Sequence, residues 1–174
     1  MIAYIQGDLD GTCGIYAVIN ALRLIFKSMT ELEAMRLLKE IFKCMEKRKK
    51  PSSIIVDGIT DKDIRHIFKE VIEPRYPITW NRPFKKETPT IDKFWQEIFE
   101  FLKKGNHRSV IVSLENGDWD HWSVVHGITE KQILFFDSSE LERVYRNRCS
   151  TKKATAKRPY LFTPCETFFI SRIP

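Results

Sequence analysis

Hydrophobic positions recur at helical intervals as far as Gly105 and at strand intervals beyond it. From Cys13 to Phe26 nearly every residue is apolar, with breaks at Asn20 and Arg23, which predicts a helix surrounded by core on most sides. We expect it to be the central helix. Thr30 and Glu33 have capping-box spacing, and Leu32, Met35, Leu38, Phe42 and Met45 then recur until the basic run Lys47 to Lys50 and Pro51, a second, amphipathic helix. Thr60 and Asp63 open a third, with Ile64, Ile67, Phe68 and Val71 as its apolar face before Pro74. A fourth starts near Thr90, carries Ile91, Phe94, Trp95, Ile98, Phe99 and Leu102, and stops at Gly105, a good left-handed cap.

Five short segments rich in β-branched and aromatic residues follow: Ser109 to Leu114, Trp122 to Ile128, Gln132 to Phe136, Tyr160 to Phe162 and Thr167 to Ser171. They read as strands, with turn chemistry such as Glu115-Asn116-Gly117 between them. Helices first and strands second predicts an α+β fold in which an antiparallel sheet packs one face on the helices. The chain has 174 residues, enough for one domain spanning 1–174, since a chain of roughly 150 residues buries about two-thirds of its unfolded surface.

Composition leaves that picture unchanged: 43% hydrophobic and 30% charged residues fit an ordinary globular chain rather than disorder or a fibrous repeat. The apolar run from Ile15 to Phe26 is shorter than the ~20 residues a membrane span needs. Asp8 and Asp10 precede it where a secretory signal has basic residues, so a cytoplasmic protein is expected. Cys13, Cys44, Cys149 and Cys165 are too scattered for a disulfide framework and are expected as reduced thiols.

Charge adds one feature. The formal net charge is +6, and Arg143, Arg146, Arg148, Lys152, Lys153, Lys157 and Arg158 fall in a stretch without an acid or a clear period. We read that stretch as a surface loop able to attract an acidic partner. No aromatic sheet motif of an RNA reader accompanies it, so nucleic acid is not expected.

The candidate chemistry centres on Cys13. A helix start favours negative charge and so favours the thiolate, the nucleophilic form. Gly14 beside it leaves room for a substrate, and the Gln6 carboxamide with the Cys13 backbone N–H can donate to the oxyanion of a tetrahedral intermediate. A cysteine nucleophile also wants a histidine. His66 and His107 lie in helical and turn contexts, whereas His121 and His126 lie on one strand at an odd offset and so face opposite sides.

If the following turn holds three residues, Ile128 pairs with Gln132, His121 lies opposite Ser139, and Asp137 is diagonal to His121, at ~7–8 Å between Cβ atoms. A two-residue turn favours His126 instead. Asp137 then orients the imidazole, while Asp118, Asp120, Trp119 and Trp122 are candidates to line the substrate cleft. No metal site or cofactor is expected, because Cys44, Cys149 and Cys165 lack histidines at ligand spacing.

Gln6, the Cys13-Gly14 that opens an apolar helix, the histidine of HWSVVHGI and the aspartate of FFDSS together resemble the papain-like cysteine peptidases, closest to the small bacteriocin-processing peptidase-like branch. The resemblance implies a papain-like fold and the superfamily order of oxyanion-hole glutamine, cysteine, histidine and aspartate at Gln6, Cys13, His121 and Asp137. It also implies a Cys-His-Asp hydrolase that cleaves a peptide or isopeptide bond through a thioester. Ile15-Tyr16 replaces the familiar Ser-Cys-Trp, and the interval from Cys13 to His121 is shorter than in papain-like lysosomal enzymes, which argues against a secreted broad-specificity protease or a transporter-linked leader peptidase. Two other readings stay open: an acyltransferase, transglutaminase-like or deamidating enzyme with the same triad, and a non-catalytic binding module that uses the basic stretch 143–158.

Overall fold

A computed structural model describes residues 1–117 and 119–174. Its helices are α1 (Cys13–Ile25), α2 (Glu31–Glu46), α3 (Pro51–Val56), α4 (Asp61–Ile67, continued by a π-turn over Phe68–Ile72) and α5 (Ile91–Lys103). Local chemistry sets their starts. Thr30 and Thr60 each accept a bond from the N–H three residues on, while the Glu33 and Asp63 carboxylates accept from the threonine N–H at 2.7 and 2.9 Å, closing two capping boxes. Pro51 has two roles: it lies beyond the end of α2 and is the first residue of α3, where its missing N–H is harmless. The sequence pattern did not anticipate α3.

The strands are β1 (Ile78–Asn81), β2 (Arg108–Asn116), β3 (Trp119–Ile128), β4 (Gln132–Phe135), β5 (Arg143–Tyr145), β6 (Cys149–Ser150), β7 (Tyr160–Phe162) and β8 (Phe168–Arg172). They form one sheet in the order β1-β8-β2-β3-β4-β5, with β7 paired to β2 and β6. The pairing is antiparallel except between β6 and β7. The fold is therefore α+β, with most helices before an antiparallel sheet. The stretch 143–158 is not simply a surface loop: it supplies β5, β6 and a 3₁₀ turn at Arg146–Arg148, and Cys149 is fully buried. Arg146 is already paired with Asp92 at 2.6 Å.

Helices cover both faces of the sheet, not one. Ile111, Trp122, Val124, Phe168 and Ile170 join a core with α1, α2 and α4. Val110, Val112, Leu114, Val125 and Phe169 join a second core with Phe94, Trp95 and Ile98 of α5. The reason is legible in β2, whose SVIVSL run has no alternation; such a strand is buried on both sides. No helix among the described residues is long and apolar enough to cross a membrane.

Two glycines hold the helices at the site. Gly58, at φ +73°, lies so close to Gly11 that a Cβ there would come 2.5 Å from the Gly11 carbonyl oxygen, and the Gly11 N–H donates to Ile55 at 2.6 Å. Gly58→Ala combines a left-handed backbone with a clash against main chain, and is expected to cost roughly 2–5 kcal/mol. The urea midpoint measures it.

Candidate active site

Asp10 shapes the turn before α1. Its carboxylate accepts from the N–H groups of Gly7 and Thr12 at 2.8 and 3.0 Å and from the Thr12 hydroxyl. Thr12 therefore does not cap the helix with its side chain; the Ile15 N–H donates to the Thr12 carbonyl at 2.9 Å, and the N–H groups of Cys13 and Gly14 have no partner among the described residues, as at a helix start without a cap. Cys13 is half-buried at this point.

The hairpin β3–β4 delivers the other groups. Neither register considered above holds at the turn, since Ile128 pairs with Ile133. A bulge between Val125 and Gly127 then absorbs the extra residue, and Val125 pairs with Phe135. Past the bulge the register is the one expected for a three-residue turn, and Asp137 reaches His121 with Oδ2 2.7 Å from Nε2. His126 sits at the bulge itself, exposed, its ring edge toward Phe136 at 6.3 Å between centroids.

Asp137 is held from four sides. Oδ2 also accepts from the Ser123 hydroxyl at 2.5 Å, while Oδ1 accepts from the N–H groups of Ser139 and Leu141 at 2.7 and 3.1 Å. Burial disfavours its charge, but the His121 contact, followed by Ser123 and Ser139, outweighs this and holds the carboxyl below its ordinary range. With Nε2 of His121 taken by Asp137, Nδ1 remains for the Cys13 thiol, which lines the same cleft and is near enough to favour the charged ring; the thiol itself donates to the Gly11 carbonyl at 3.9 Å.

His121 is itself buried. Burial opposes the imidazolium; the hydrogen bonds and charges of Asp137 and Cys13 override it and push the pKa up to about 9. The sign follows directly. A group raised above its ordinary value of about 6.5 lends stability in full below that pH and loses it as pH rises through about 9. The urea midpoint is expected to fall over this window, and that part of the fall should be absent from His121→Ala.

Cys13 and His121 open into a cleft of about 450 Å³. Gly11, Cys13 and residues 56–60 line one side; Ser113, Glu115, Asp120, His121 and Trp122 line the other, with Thr163 and Glu166 beside them. Trp122 is mostly buried and donates its indole N–H to the Ile59 carbonyl at 3.2 Å. Trp119 is outside this lining; its ring meets that of His121 edge-on at 5.4 Å. Gly14 does not open space for a substrate: a Cβ there would meet Ile59 at 2.6 Å and Trp122 at 3.2 Å, so the glycine allows close packing of α1. Asp118 lies outside the described residues.

Gln6 is fixed next to the Asp137 segment. Its backbone N–H donates to the Ser138 carbonyl at 3.0 Å, its Oε1 accepts from the Ser138 hydroxyl at 3.0 Å, and its Nε2 donates to the Asp10 carbonyl at 3.0 Å. A carboxamide has two N–H donors, so one is without a partner among the described residues. Ser123, Glu115 and Glu166 are the residues that sequence reasoning missed. Ser123 had a signal, being two residues from His121 on the same strand and opposite Asp137 in the three-residue-turn register.

The four cysteines are free, and burial pushes Cys149 up to about 12. No group of three His, Cys, Asp or Glu among the described residues is arranged to hold a metal ion. Compared with known proteins, the chain matches no protein-family model and no curated protein.

Proposed function

We propose that the chain is a papain-like cysteine peptidase, a thiol hydrolase that cleaves a peptide or isopeptide bond. The observation that carries the proposal is that Cys13 and His121 line one cleft, with Asp137 holding the His121 ring at 2.7 Å from behind it. An imidazole with a pKa of about 9 is protonated at neutral pH, which favours an ion pair with the Cys13 thiolate. The thiolate attacks the amide carbonyl carbon and forms the C–S bond; the Cys13 N–H and the spare N–H of Gln6 are the donors for the oxyanion. His121 gives its proton to the leaving amine as the C–N bond breaks. It then takes a proton from water, whose oxygen attacks the thioester and frees Cys13. Asp137 keeps the ring oriented throughout. Free thiols and no disulfide fit a reducing compartment such as the cytoplasm.

The cleft also suggests the substrate. Asp57, Glu115, Asp120 and Glu166 line it, no lysine or arginine does among the described residues, and none of the four carboxylates is in an ion pair there. The Glu166 carboxyl is pushed up by burial, with Asp61 and Asp120 adding to it against Ser113 and Arg82. Such a site favours Lys or Arg next to the scissile bond. Incubating a peptide library with wild-type protein and with Cys13→Ala, and mapping new termini by mass spectrometry, tests both points. Termini made only by the wild type, with basic residues enriched beside them, are expected. A library left intact by both proteins would remove the hydrolase, and cleavage without basic enrichment would remove the specificity. Products carrying an added amine in place of water would favour the acyltransferase reading.

A further inference from the structure

A second groove, of about 680 Å³, lies beside the catalytic cleft. One wall is the helical face formed by Lys62, Arg65, His66 and Lys69, whose spacing places them together along α4 and its π-turn. Trp80 and Asn81 of β1, followed by Arg82 and Lys85, form the other, with Arg48 at one end. Among the described residues no carboxylate lines it. Asp61 and Asp63 behind it partly neutralise Arg65, Arg82 and Arg48. Lys62, Lys69 and Lys85 are exposed and in no ion pair among the described residues, and Arg65 keeps a buried Nε without an acceptor. The groove and the cleft nearly meet: Arg82 donates to the carbonyl of Cys165, the residue before cleft-lining Glu166.

Two observations choose among anionic partners. β1 is an end strand of the sheet, paired among the described residues with β8 alone, and an end strand offers backbone N–H and C=O groups to an extended peptide. Trp80 is not a free platform for a nucleic-acid base, because its ring stacks on Phe68 at 5.2 Å and its N–H donates to Glu73 at 2.6 Å. We propose that this groove binds an acidic peptide segment in extended conformation. Alternating Asp or Glu side chains of such a segment face the lysines, and its backbone runs along β1. The binding is separate from the thiol chemistry and does not require it.

The test is fluorescence anisotropy with a labelled peptide that alternates Glu and Thr, beside the same peptide with Gln for Glu and a labelled oligothymidylate. Wild-type protein is expected to bind the Glu peptide in a salt-sensitive way, and the Gln peptide and the oligonucleotide more weakly. The triple variant Lys62→Glu, Lys69→Glu, Lys85→Glu, whose changes are all at exposed positions, should weaken the Glu peptide by about tenfold or more. Equal binding by the variant, or no binding by the wild type, would overturn the proposal. Tighter binding of the oligonucleotide would replace the acidic peptide with nucleic acid.

Discussion

Cys13→Ala is expected to reduce peptide-bond cleavage by about 10⁴-fold or more, because removal of a nucleophile leaves only substrate binding and the oxyanion donors. The fold should hardly notice. Cys13 is half-buried at the edge of the core, and its thiol makes one long hydrogen bond, at 3.9 Å to the Gly11 carbonyl, so removing the single sulfur costs about 1 kcal/mol. One consequence separates this variant from a simple loss of activity. Part of what raises His121 comes from Cys13, so the imidazole of the alanine variant should titrate below about 9. Proton NMR of the His121 ring against pH reads this directly, with the urea midpoint as the control for folding.

Asp137→Ala is expected to cost both stability and activity. It removes the acceptor for His121, Ser123, Ser139 and Leu141 together and strands a buried imidazole. Breaking a buried pair on one side costs roughly 3–5 kcal/mol. Loss of the orienting carboxylate costs about 10³–10⁴-fold in turnover by analogy with other triads. Asp137→Asn separates the two effects. The amide can still accept a bond through its oxygen, so stability should drop less, whereas the charge that holds His121 protonated is gone. The alkaline limb of the pH–rate profile, set near pH 9 by His121, should move to lower pH in the asparagine variant. An unmoved limb would show that Asp137 is not what raises His121.

These effects depend on a contact that the sequence made visible only in part. The apolar run of α1 and the two threonine caps with Glu33 and Asp63 are local patterns, and local patterns survive in the sequence; Gln6, Cys13, His121 and Asp137 are legible there as an order along the chain, not as contacts. The meeting of His121 with Asp137 depends on a register that turn length alone does not set. The turn is one residue longer than expected, and the bulge next to Gly127 takes it back; bulges carry little sequence signal beyond a glycine. The far wall of the cleft was invisible for a related reason. Residues 56–60 come to Cys13 through the approach of Gly58 to Gly11, a long-range contact between two backbones that no side-chain pattern records. Gly14 misled in the opposite direction, because a glycine needed for helix packing looks the same in sequence as one that clears a path for substrate.

Charge was misread in a similar way. The cations of the stretch 143–158 lie close together in the chain, yet Arg146 is paired with Asp92, and β5, the 3₁₀ turn and β6 take up the first half of the segment. The cations lining the groove beside β1 are spread from Arg48 to Lys85, and only the fold gathers them. Among these, Lys62, Arg65 and Lys69 could have been found, since their spacing is that of one helix face.

Alkylation of the wild-type protein by iodoacetamide near pH 6, followed residue by residue with mass spectrometry, is the most direct test of a reactive Cys13. An ordinary exposed thiol is less than about 1% ionised at that pH, and burial raises Cys44 and Cys149 further. Cys13 should therefore be modified about tenfold or more faster than exposed Cys165, and His121→Ala should abolish the advantage. Modification of Cys13 no faster than of Cys165, or at a rate unchanged in His121→Ala, would contradict the account.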